Sequence, residues 1–135
     1  MSLITWDDSY SVNVKEIDLQ HQKLIAIINE LNAAMEAGKS NEILGTIIDE
    51  LVDYTKYHFD TEEKYFNQIN YPDTMAHEKE HNNFVKRVAE FQEEFSEGKA
   101  LLSVELMMFL KKWLTEHIKG TDQKYSEFFN ENGIS

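Results

Sequence analysis

Apolar residues recur at spacings of three and four along four long stretches of the chain, the signature of amphipathic helices. The first stretch carries His21, Leu24, Ile28, Leu31 and Met35 in register. Asp18 is a good N-cap residue for it, and Ala37-Gly38 predicts its end. The second carries Leu44, Ile47, Leu51, Tyr54 and His58, with Glu62 one turn on and Ser40 placed to cap it. Asn67-Gln68-Ile69-Asn70-Tyr71-Pro72 interrupts the pattern. Asp73 then opens a third stretch with His77, His81, Phe84, Val88, Phe91 and Phe95, closed by Ser96-Glu97-Gly98. Ser103 opens a fourth with Leu106, Leu110, Trp113 and His117, and Lys119-Gly120 predicts its stop. Bundle helices are therefore expected over residues 18–37, 41–66, 73–96 and 103–119. Residues 1–17 have no helical period but carry Trp6, Tyr10, Val12, Val14 and Ile17, which predicts an extended arm packed on the helices. Residues 122–132 predict a short terminal helix with Tyr125, Phe128 and Phe129 turned inward.

Four helices joined by short links make an antiparallel up-down-up-down bundle. The expected fold is all-α: one domain over 1–135, with the N-terminal arm and the short C-terminal helix added. Composition agrees. The chain has 135 residues, enough for one core, with 41% apolar and 28% charged residues. One Pro and five Gly leave little to break a helix.

Charge narrows the function. Lys plus Arg is 13 and Asp plus Glu is 25, a formal net charge of −12. That weighs against nucleic acid and anionic membrane surfaces, which bind cationic faces, and it favours a monomer. There is no Cys, which excludes disulfides, thiolate zinc sites and iron–sulfur clusters. The opening Met1-Ser2-Leu3-Ile4-Thr5-Trp6-Asp7-Asp8 has neither a basic nor an apolar run, and no stretch reaches membrane-spanning length, so a cytoplasmic protein is expected.

Helix direction then places the five histidines. His21 lies early in the first helix, His58 late in the second, His77 and His81 early in the third, and His117 at the end of the fourth. In an alternating bundle these positions share one end. A lone histidine on an apolar face is usually a core imidazole with a hydrogen-bond partner. Five at one level leave too many ring nitrogens competing for too few partners, and Glu62 adds a charge to neutralise. Metal ions satisfy all of these groups together. His58/Glu62 and His77/His81 are i, i+4 pairs, within about 40° of one face, so each pair can chelate. His117 and Asp122 are five apart, about 140° on a continuous α-helix, so that pair requires the helix to end between them, at Gly120. Imidazole and carboxylate without thiolate suit iron, manganese or zinc. Seven ligands (His21, His58, Glu62, His77, His81, His117 and Asp122) exceed one ion's needs and suit two, bridged by the carboxylates.

Two shorter motifs overlap this set. His77-Glu78-Lys79-Glu80-His81 matches the H-E-x-x-H of zinc proteases, but that leaves three histidines unexplained and no strand to line a cleft. Glu78-x-x-His81 matches one half of a ferritin-like site, which needs a second such pair and four core carboxylates. Glu78 and Glu80 therefore read as a solvated helix face.

The chain resembles the single-domain bacterial hemerythrins over nearly its whole length. The resemblance rests on Trp6, Asp18-Leu19-Gln20-His21, His58-Phe59-Asp60-Thr61-Glu62-Glu63, His77-x-x-x-His81 and Trp113-Leu114-Thr115-Glu116-His117-Ile118-Lys119-Gly120-Thr121-Asp122. It implies two iron ions with a bridging hydroxide or oxo group. His77, His81 and His117 would bind one, His21 and His58 the other, and Glu62 and Asp122 would bridge. It implies a coordination position left open on the His21/His58 ion for dioxygen, in an apolar pocket lined by Leu24, Phe59, Trp113, Leu114 and Ile118. The function it implies is reversible dioxygen binding for storage, delivery or sensing, with an oxygen-consuming enzyme as one recipient. No acid–base residue stands out beside the open position, which favours carriage over catalysis. The alternatives are a di-iron oxidase, peroxidase or nitric-oxide-handling enzyme on the same scaffold, and an iron-storage or purely structural bundle.

Overall fold

The computed structural model describes residues 3–98 and 102–135, without the side chain of Ser40. The described residues hold helices and no strand. Helix α1 spans Lys15–Glu36, α2 Ser40–Ile69, α3 Thr74–Ser96, α4 Leu102–Glu116 and α5 Gln123–Glu131. A short 3-10 turn, Asp8–Tyr10, lies in the N-terminal arm. Helix α1 packs on α2 and α4, and α3 packs on the same two, which closes a four-helix ring.

Several ends differ from expectation for identifiable reasons. Helix α1 begins at Lys15, not Asp18. Asp18 sits inside the first turn, where its carboxylate accepts from the Val12 amide at 2.8 Å and the Ser11 hydroxyl at 2.6 Å. It pins the arm to the helix and does not cap it. Gly38, with φ of 71°, ends α1, and the Lys39 amide reaches back to the Ala34 carbonyl at 2.7 Å. Ser40 is the first residue of α2, with Lys39 in the cap position, and its expected side-chain cap falls outside the described atoms. Helix α2 runs through Asn67-Gln68-Ile69 and stops at Asn70, which adopts the left-handed conformation. Asp73 holds the cap position of α3 without a side-chain bond, while the Thr74 hydroxyl donates to the Tyr71 carbonyl at 2.6 Å. Phe95, expected in the seam, is 39% exposed and lies over Gly45 at the rim.

Chain positions 117–122 differ most. The helix does not stop at Gly120. It continues from α4 into α5 through a π-helical segment, His117–Asp122. In that i→i+5 geometry a residue five positions on returns to nearly the same face, so the wider turn does what a helix break was expected to do.

Two apolar clusters fill the interior. The larger holds Leu24, Ile28, Leu31, Leu44, Ile47, Leu51, Phe91, Leu106 and Leu110 among others. The smaller holds Val12, Val14, Ile17, Phe66, Tyr71, Tyr125 and Phe129. The histidines lie between them, because Phe59 of the first cluster and Phe66 of the second both pack on imidazole rings. The arm is fixed over α1 by Asn29, whose side-chain oxygen accepts from the Leu3 and Ile4 amides, each at 3.0 Å.

Candidate metal centre

Between the two apolar clusters sit seven buried polar side chains: His21, His58, Glu62, His77, His81, His117 and Asp122. Helices α1, α2 and α3 contribute His21, His58, Glu62, His77 and His81, and the π-helical segment after α4 supplies His117 and brings Asp122 back beside it. Their ligating atoms form two overlapping groups. Glu62, His77, His81, His117 and Asp122 each place one ligand atom within 4.8 Å of all the others, and so do His21, His58, Glu62 and Asp122. The two carboxylates belong to both groups.

Short distances run through each group. His77 and His117 aim Nε2 at Asp122 Oδ1 from 2.8 and 3.0 Å. His81 and His58 aim Nε2 at Glu62 Oε1 from 3.1 and 3.3 Å. His21 Nε2 is 3.0 Å from Asp122 Oδ2. These are ion-pair distances without hydrogen-bond direction: the Nε2 atoms of all five histidines, Glu62 Oε1 and both Asp122 oxygens are buried with no hydrogen-bond partner. Buried polar atoms are otherwise paired almost without exception. So many lone pairs converging on one small volume is what a pair of metal ions would satisfy.

Electrostatics of the metal-free chain point the same way. Burial and the Asp122 charge would push Glu62 up, but His58, His77 and His81 hold it below the usual carboxylate range. Asp122 is likewise held well below its ordinary value against its burial, chiefly by His117. Burial lowers His77 and His117, yet the carboxylates outweigh it and raise them to about 9 and about 10. His58 goes the other way, pushed down to about 3 by burial and by the neighbouring His21 and His81 against the pull of Glu62. Two protons on His77 and His117 thus neutralise the two carboxylates, a role cations would take over.

The groups behind the ligands were not all foreseen. Glu80, expected on a solvated face, accepts from His117 Nδ1 at 3.0 Å and from the Thr121 hydroxyl at 2.8 Å. Glu63 accepts from His81 Nδ1 at 3.3 Å. Gln20 accepts from His58 Nδ1 at 2.6 Å. The buried Tyr125 hydroxyl donates to Glu62 Oε2 at 2.6 Å. Such partners fix ring orientation and ligand basicity. Glu80 and Gln20 carry a weak trace in the sequence, since each lies one or three positions from a ligand on its own helix.

Of the five residues expected around an oxygen pocket, two stack on imidazoles of the site. Leu24, Phe59, Leu114 and Ile118 are buried and Trp113 is half-buried. Phe59 stacks on His81 at 3.8 Å between ring centres, and Trp113 on His117 at 4.2 Å. Both rings therefore touch the three-histidine group. Phe59 and His81 also line a cavity of about 360 Å³ between α2 and α3, with Val52, Val85 and Glu63.

A four-helix bundle that gathers five histidines and two carboxylates into two overlapping groups has the donor set of a non-haem metal-binding protein. A family model, the hemerythrin HHE cation binding domain, matches residues 12–129. The chain belongs to the hemerythrin family. It is 39% identical to a bacteriohemerythrin of Stenotrophomonas maltophilia (strain R551-3) over 94% of this chain and 82% of that protein. It is 34% identical to a hemerythrin-like protein of Naegleria gruberi, over 92% of each. The crystal structure of a wild-type hemerythrin superposes with a TM-score of 0.84 at 31% identity, over 93% of this chain and 97% of that one.

Proposed function

We propose that the chain binds dioxygen reversibly at a di-iron centre held by these seven residues. One observation carries the reading: the ligands divide into two groups that share Glu62 and Asp122, three histidines in one and two in the other. Ferrous iron would supply the electrons and the open coordination position that dioxygen needs. His77, His81 and His117 would hold one ion, His21 and His58 the other, and the two carboxylates would bridge. The group with His21 and His58 offers one imidazole fewer than the other, so an ion held there would have room for dioxygen. The protein's own part is to hold that position dry and rigid. Tyr125 steadies Glu62, while Gln20 and Glu80 fix His58 and His117. Leu24, Leu114 and Ile118 would keep water from the open position, with Phe59 and Trp113 closing the wall through their stacking on His81 and His117.

Storage or delivery in the cytoplasm, as a monomer, fits the acidic surface, and no described helix is long and apolar enough to cross a membrane. The test is direct. Iron-loaded, reduced protein should contain two irons per chain, colour in air and bleach again when oxygen is removed. Consumption of oxygen with turnover would replace the carrier reading with an enzyme, and one iron or many would reject the di-iron site. Ile118→Glu should hasten oxidation of the coloured form, and an unchanged lifetime would remove Ile118 from the pocket wall.

A further inference from the structure

A ligating imidazole that aims Nε2 at a metal presents Nδ1–H on its far side. The group accepting that proton sets how much electron density the ring can offer. Here the acceptors differ between the two halves of the site. In the three-histidine half, His117 donates to Glu80 and His81 to Glu63, both carboxylates. In the two-histidine half, His58 donates to the neutral amide oxygen of Gln20, and His21 Nδ1 is buried without a hydrogen-bond partner. Gln20 is itself buried and held in one orientation. Its Nε2 donates to the Thr61 hydroxyl oxygen at 3.3 Å, and that hydroxyl donates to the Tyr57 carbonyl at 3.0 Å. The amide therefore offers His58 its oxygen and nothing else.

We propose that Gln20 is a positioning residue that makes the two metal positions electronically unequal, giving His58 a neutral acceptor where the opposite half uses carboxylates. This rests on the di-iron reading above. A carboxylate behind an imidazole draws its proton away, makes the ring a stronger donor and favours the more highly charged ion. The half without anionic backing is the half that the ligand count leaves open. An ion held there would be stabilised less as ferric iron than one whose imidazoles are backed by carboxylates.

Gln20→Glu has nearly the same shape, and the Thr61 hydroxyl can turn to meet the new oxygen. In redox titration of the di-iron protein with mediators under nitrogen, Gln20→Glu should lower the midpoint potential. A tenfold gain in ferric preference would read as about 59 mV per electron. Glu80→Gln should move it in the opposite direction. A Gln20→Glu protein that holds two irons at an unchanged potential overturns the proposal. Zinc titration of the metal-free chain provides a readout independent of oxygen and redox chemistry. Gln20→Ala should weaken the zinc held by His21 and His58 about tenfold, and Gln20→Glu should tighten it. Equal zinc affinity in the native protein and both variants also overturns the proposal. Failure of the native protein to hold two irons would instead sink the oxygen-binding reading, and the zinc order would still decide the role of Gln20.

Discussion

Leu31, Leu44, Ile47, Phe91 and Leu106 fill one half of the bundle interior with no polar side-chain atom among them. The other half buries five imidazoles and two carboxylates beside Phe66, Tyr125 and Phe129. Both halves are dry, and both are built from the same helices. In the first, apolar contact is non-directional, so many side-chain sets of similar volume would serve. In the second, each buried polar atom needs a partner at a set distance and direction, and among the described residues nine such atoms have none. One half can stabilise the fold by itself, while the other would do so fully only with those atoms satisfied.

Removing metal is the strongest way to break that contrast. Two ions, each at a free concentration a thousandfold above its dissociation constant, would add about 4 kcal/mol apiece to stability. Chelation should therefore lower the unfolding midpoint by many degrees and loosen the histidine end first. Hydrogen exchange should quicken at residues around 58–62 and 117–125 while the amides near Leu44 and Phe91 stay protected. Equal loss of protection in both halves would show that the division is not an energetic one.

The metal-free chain should next lose stability at alkaline pH, a loss that cations replacing the protons of His77 and His117 would remove. His77 and His117 lie at about 9 and about 10 in the fold, above their ordinary value of 6.5. Their contribution is complete below about pH 6.5 and is lost as pH rises through those values. Glu62 and Asp122 are depressed, so their contribution is present above the ordinary carboxylate values and lost as pH falls below them. His58, held down to about 3, opposes the fold increasingly as pH falls from 6.5. Metal-free stability should peak near neutral pH, measured as urea midpoints from pH 4 to 10. A profile that rises steadily into the alkaline range would contradict these assignments.

How much of this was legible in the residues follows the same division. The apolar seam declared itself through its spacing, because burial along a helix needs only periodicity. The gathering of the seven candidate ligands was legible because alternating helix direction brings distant histidines to one end. Side-chain partners of the ligands were less so. Glu80 looks like any surface glutamate until the fold sets Thr121 and His117 against it, since the partners are 37 and 41 residues away. Asp18 carried a strong capping signal that the nearby Val12 and Ser11 diverted to tertiary use. The π-turn was the instructive miss. Gly120 suggested a stop, but its backbone has no positive φ and a Cβ there would meet nothing within 4 Å. The wider turn instead carries the helix on through Gly120 and sets His117 and Asp122 on one face.

Leu31→Ala tests the apolar half alone. Leu31 is fully buried there, so truncation should cost about 2–5 kcal/mol through lost contact and the cavity left behind. Metal stoichiometry should be unchanged, because Leu31 stands ten residues beyond His21 on α1, about 15 Å along the helix axis. Denaturant unfolding together with metal analysis checks both parts, and loss of metal would show the two halves to be mechanically joined.

Tyr125→Phe makes the smallest change and sharpens the comparison most. Tyr125 is fully buried and belongs to an apolar cluster by its ring, stacked on Phe129 at 4.3 Å, and to the site by its hydroxyl. Removing the hydroxyl keeps the ring packing and takes one donor from Glu62. A hydrogen bond to a buried charge is worth about 1.5–3 kcal/mol, so the metal-free variant should lose roughly that much in urea unfolding. In the loaded protein a cation takes part of the Glu62 charge, so the loss should shrink. If the loss is the same with and without metal, the hydroxyl supports the fold independently of any ion; if neither state loses stability, Glu62 is held by its histidines alone.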